Sequence, residues 1–90
     1  MMKSKGLVKL VEECGELTQV AAKRIAYPRG KHPDEYREKP LNERIEDEMG
    51  DVLGAMHFVA AKLELDVQRI YRRATMKQAR FEDWDRKKKR

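Results

Sequence analysis

The sequence predicts an all-α fold, on three observations. Apolar residues recur at three-and-four spacing over long stretches, no segment alternates with the period of two that a half-buried strand needs, and no Asn-Gly or Asp-Gly hairpin signal occurs. Nothing repeats internally. Residues 1–85 therefore read as one domain of three helices, followed by a basic tail, 86–90.

The first helix is expected from about Ser4 to Tyr27. Leu7, Leu10, Val11, Cys14, Leu17, Ala21 and Ile25 form its apolar stripe, with Cys14 a core residue, and Lys9, Glu13, Glu16, Val20 and Lys23 lie on the neighbouring face. Pro28, Gly30, Pro33 and Pro40 then exclude a regular helix, because proline lacks a donor and fixes φ. This connection is a surface loop of about a dozen residues, from which Tyr27, His32 and Tyr36 could touch a ligand.

The second helix is expected to start near Leu41 or Asn42, with Asn42 as cap and Glu43 suiting the positive end of the helix dipole. Ile45, Met49, Val52, Leu53, Met56, Val59, Ala60 and Leu63 make a broad apolar face, with Arg44, Glu48, Asp51 and Ala55 along one edge. Gly50 and Gly54 each cost about 1 kcal/mol relative to alanine inside a helix, which points to a close helix contact or a ligand near the backbone. Asp66 caps a third helix carrying Val67, Ile70, Tyr71, Ala74, Phe81 and Trp84, its other faces basic with Arg69, Arg72, Arg73, Lys77 and Arg80.

Bulk composition narrows the function. Lys and Arg number 21 against 16 acids, a net charge of +5, but Arg86 to Arg90 supply all five of the excess. The body is neutral, so the excess reads as a solvated terminal run rather than a nucleic-acid surface. A single cysteine, Cys14, with no C-x-x-C pair excludes a disulfide framework and a zinc knuckle, and fits a reducing, cytoplasmic setting. No apolar run approaches the roughly 18 residues of a membrane span. A chain this short buries only about 60 to 65% of its unfolded surface, so leftover apolar surface is expected to pair with other copies, as a homodimer or homotetramer.

The chemistry lies in two acidic motifs. Glu12-Glu13-Cys14-Gly15-Glu16 and Glu48-Met49-Gly50-Asp51 each place two carboxylates three residues apart on one helix face, Glu13 with Glu16 and Glu48 with Asp51. Two such pairs facing each other make a four-carboxylate box, and the usual remedy for its mutual repulsion is a hard divalent cation, Mg²⁺ or Mn²⁺. The competing interpretation is two solvated helix faces, with Lys9 and Arg44 four residues before Glu13 and Glu48 as partial counterions. Neither His32 nor His57 follows a Glu by three residues, which argues against a di-iron bundle, and glycine-rich phosphate loops are absent.

These residues, with Leu63-Glu64-Leu65-Asp66-Val67 after them, resemble the MazG-type all-α nucleoside triphosphate pyrophosphohydrolases, over about Gly6 to Arg80. The resemblance implies Mg²⁺-dependent hydrolysis of a (d)NTP to the monophosphate and pyrophosphate. It carries Glu13, Glu16, Glu48 and Asp51 onto the metal ligands, Glu12 onto a water-orienting or supporting catalytic acid, and Lys23 onto a position that stacks on the base in some relatives. Arg73, Lys77 and Arg80, or basic residues of a neighbouring subunit, are expected to bind the leaving phosphates. The chain departs from the pattern in a somewhat long spacer, 31 residues between Glu16 and Glu48, and in Ala55, a position aromatic in some relatives. Two other functions fit the same acids: phosphoribosyl-ATP pyrophosphohydrolase, and a non-catalytic helical interaction module.

Overall fold

The structure is a computed structural model that describes residues 2–29 and 40–88, with side chains over 5–29 and 40–87. His32 and Tyr36 lie outside the described residues. Three helices occur, α1 (Met2–Ala26), α2 (Leu41–Lys62) and α3 (Val67–Lys88), and there is no strand among the described residues. None of these helices is long and apolar enough to cross a membrane.

α1 and α2 form an antiparallel hairpin. Gly6, Leu10, Glu13, Leu17, Val20, Arg24 and Tyr27 repeat at intervals of four and three along α1, and all are buried or half-buried. Leu41, Ile45, Glu48, Val52, Ala55, Val59 and Leu63 repeat the pattern along α2 and its C-cap. This alternation keeps one seam facing the partner helix along its whole length. At one end the helices approach closely, since a Cβ on Gly6 would sit 3.3 Å from Val59 Cγ2. At the other end Arg24 donates from Nε to Asn42 Oδ1 at 2.9 Å, and from its terminal nitrogen to the carbonyls of Tyr27 and Pro28.

Several expectations change. Leu7, Val11, Cys14 and Ile25 are exposed, Val11 by 73% and Ile25 by 80%, so Cys14 is not a core residue. α1 carries two apolar stripes about 100° apart, and a helix with one neighbour covers only one. Met49, Leu53 and Met56 on α2 are exposed for the same reason, whereas Ala55, expected on the acidic edge, is buried. Gly50 and Gly54 face open space, with nothing within 4 Å of an added Cβ, so no close contact among the described residues explains them. Asn42 does not cap α2: the N-cap is Pro40 and makes no side-chain cap, the Asn42 oxygen being held by Arg24.

α2 ends as its sequence allows. Leu65 N–H donates to Ala60 O at 2.9 Å and Glu64 N–H to Ala61 O at 3.4 Å, with Glu64 at φ 55°. These are the two bonds of a Schellman cap, formed here with a glutamate where glycine is usual. Asp66 caps α3, its Oδ1 accepting from Arg69 N–H at 3.0 Å. α3 then continues through Lys88, and Arg86 and Lys87 pair with Asp83 at 3.2 and 3.1 Å. It packs sparsely against the hairpin, and near its start Val67, Ile70 and Tyr71 line a crevice with Leu53, Met56, His57 and Ala60. There Tyr71 Oη and His57 Nε2 form a hydrogen bond of 3.2 Å.

Candidate functional site

The hairpin seam brings the two acidic motifs together. Glu13 and Glu48 stand at equivalent seam positions of the two antiparallel helices, and Glu16 and Asp51, three residues further along each, open onto the same side of the hairpin. One carboxylate oxygen from each of the four lies within 4.8 Å of the others. Glu13 and Glu48 are half-buried and Glu16 and Asp51 exposed. The acids were expected to flank the core, but Glu13 and Glu48 interrupt it, because the stripe that α2 covers on α1 is centred one helix edge away from Leu7 and Val11.

This position is electrostatically costly. Glu13 Oε2 and Glu48 Oε2 are buried with no hydrogen-bond partner, a condition that ordinarily demands a compensating group. Burial, then the neighbouring charges of Glu16 and Asp51, push the Glu13 carboxyl above the usual carboxylate range, with Lys9 pulling weakly the other way. Glu48 is pushed up by burial, then by Glu16, Asp51 and Glu13. Four clustered carboxylates, two of them with buried, unsatisfied oxygens and two exposed at an open side, make an all-oxygen donor set of the kind that fits a hard divalent cation. Carboxylates alone, crowded this closely, could not all remain charged.

The remaining expected residues are distributed around this cluster. Glu12 lies beside it, and its Oε2 accepts from Lys9 Nζ at 3.1 Å. Lys9 thus pairs with Glu12 rather than with Glu13, and the Glu12 hydrogen bond raises the Lys9 pKa. Lys23 is half-buried on α1, two turns beyond Glu16. Arg73, Lys77 and Arg80 are exposed on α3 and do not join the cluster within one protomer. Arg73 lines a shallow recess with Leu65, Asp66, Arg69 and Ile70, while Lys77 Nζ lies 5.4 Å over the ring of its neighbour Phe81. His57 takes no part in the cluster. Sequence reading missed the Arg24 clamp, since nothing local links Arg24 to a residue eighteen positions on.

Neither a curated protein nor a solved structure matches the chain. A family model does, over residues 3–83, which spans both acidic motifs and all three helices. With a match that takes in both acidic motifs and nearly the whole chain, the chain belongs to the MazG nucleotide pyrophosphohydrolase domain family.

Proposed function

We propose that the protein is a Mg²⁺-dependent nucleotide pyrophosphohydrolase that converts a (d)NTP to the (d)NMP and pyrophosphate. The observation that carries this reading is the convergence of Glu13, Glu16, Glu48 and Asp51 to within 4.8 Å in a chain of this family. These four hold Mg²⁺, or Mn²⁺ in its place, in the reading proposed here. Bound there, the cation supplies charge neutralisation for the triphosphate, polarisation at the α-phosphorus and a lowered pKa for water.

The chain's own residues do the rest. Glu13 and Glu48, fixed by the seam, set the depth of the site, and the exposed carboxylates of Glu16 and Asp51 form its mouth. Glu12 orients the attacking water from the rim, and Lys9 holds Glu12 in place. Lys23, on the helix that carries the first motif, contacts the base. The guanidinium and ammonium groups of Arg73, Lys77 and Arg80 bind the leaving phosphates from a neighbouring subunit of a homodimer or homotetramer.

Pyrophosphate release across a panel of canonical and modified (d)NTPs, with phosphoribosyl-ATP alongside, tests the reading. Glu48→Ala and Asp51→Asn are each expected to lower turnover at least about a hundredfold, since loss of a residue that merely supports a metal ligand already costs 10- to 100-fold. Helical content by circular dichroism should be unchanged. Wild-type levels of release in both variants would sink the assignment.

A further inference from the structure

Charge is divided unevenly between the helices. Residues 67–90 carry ten Lys and Arg against three acids, net +7, whereas residues 1–66 carry eleven against thirteen, net −2. In the sequence the positive excess looks confined to residues 86–90. In the structure α3 continues through Lys88, so the terminal run extends the helix that already holds Arg69, Arg72, Arg73, Lys77 and Arg80.

These cations share one side of the helix. At about 100° per residue, Arg69, Arg73, Arg80 and Lys87 fall within about 40° of one another around α3, with Arg72 and Lys77 at the flanks, and all six are exposed. Among the described residues the side chains of Arg69, Arg72, Arg73 and Arg80 make no ion pair. Past the capping Asp66, the one acid on this side is Asp83, and Arg86 and Lys87 already hold it. Trp84, 58% exposed, stands on the same side between Arg80 and Lys87.

A stripe of this length fits a polymer of phosphates. From Arg69 to Lys87 it runs about 27 Å at 1.5 Å per residue, extending past Arg73, Lys77 and Arg80 at both ends and beyond what one triphosphate fills. Each strand of a nucleic-acid duplex places a phosphate about every 3.4 Å of axis, and guanidinium forks bind phosphate oxygens two at a time. An exposed indole among such cations offers a platform on which an unpaired base stacks, which favours a single strand over a duplex. A bilayer, the other extended polyanion, is disfavoured because Val67 and Tyr71, the apolar residues that would insert, line the crevice against α2 on the opposite side of α3. We propose that single-stranded nucleic acid lies along the basic side of α3, its phosphates on Arg69, Arg73, Arg80 and Lys87 and a base on Trp84. This site goes beyond the proposed hydrolysis and uses none of the four clustered acids.

Titration of the full chain in EDTA with an oligothymidylate about 15 nucleotides long, near the upper end of single-strand site sizes, tests it. Affinity should fall with salt at a log–log slope of about −3, the value for four phosphate contacts on a single strand. Fluorescence of Trp84, the single tryptophan of the chain, should be quenched on binding. An Arg69→Gln, Lys87→Gln double variant should bind about tenfold more weakly, with a slope shallower by about 1.4. A Lys5→Gln, Lys62→Gln variant, which removes the same charge from the hairpin, should match the wild type. All four substituted side chains are exposed, and circular dichroism checks that each variant keeps its helices. Absence of quenching at low salt, a salt-independent affinity, equal losses in the two variants, tighter binding of the matching duplex, or binding to phosphatidylserine vesicles without binding to the strand overturns the proposal. Because EDTA removes divalent cations, the result is independent of the metal site, and pyrophosphate release by the Arg69→Gln, Lys87→Gln variant in Mg²⁺ should equal that of the wild type.

Discussion

Glu13 and Glu48 occupy positions where a helix pair would ordinarily place leucine, and their charge is therefore coupled to folding. Both carboxyls have folded values above the ordinary 4.5, so protonation favours the folded chain. That contribution is complete below about pH 4.5 and is lost as the pH rises through the raised folded values. The metal-free protein should thus melt at a higher temperature near pH 5 than at pH 7, when compared with a Glu13→Gln, Glu48→Gln double variant at each pH. Calorimetric scans that show the same pH slope in both proteins would refute this. The four acids were legible in the sequence because residues three apart on a helix share a face, which is local information. Their depth was not, because α1 carries two apolar stripes and only the packing of α2 selects between them. The choice of Lys9 for Glu12 over Glu13 was equally open, three and four residues being alternative neighbours on one helix.

Each helix end contributes a separate, modest increment to stability. Glu64 adopts φ 55°, a conformation that costs a residue with a Cβ roughly 1 kcal/mol, so Glu64→Gly should stabilise the chain by about that amount in urea titration. Asp66→Ala removes the side-chain cap on Arg69 N–H and should destabilise by about 1 kcal/mol. Gly54→Ala should add roughly 0.5 to 1 kcal/mol, since no atom stands within 4 Å of the new methyl; a loss of stability instead would reveal a contact made by another molecule. The Asp66 cap and all three helices could be read from local pattern, with α1 and α2 starting within two residues of the expected places. The Asn42 cap failed because Arg24, distant in sequence, takes its oxygen.

For the molecule as a whole, the carboxylate cluster links the two halves of the hairpin, so filling it should stabilise the entire fold. At a hundredfold excess over its dissociation constant a ligand contributes about 2.7 kcal/mol, which in a domain this small raises the midpoint by on the order of 10 °C. Differential scanning fluorimetry with Mg²⁺ and then excess EDTA checks this, and the shift should vanish in Asp51→Asn. All-helical architecture was predictable, but the departure of α3 from the hairpin was not, because its apolar stripe reads the same whether it folds back or reaches outward. The Arg24 guanidinium has one last consequence. By gripping both the exit of α1 and the first turn of α2, it ties the two rods together at this end of the hairpin. Changes in the number of residues between the two helices should therefore leave the register of the four acids untouched, since loop length adds only slowly to the cost of closure.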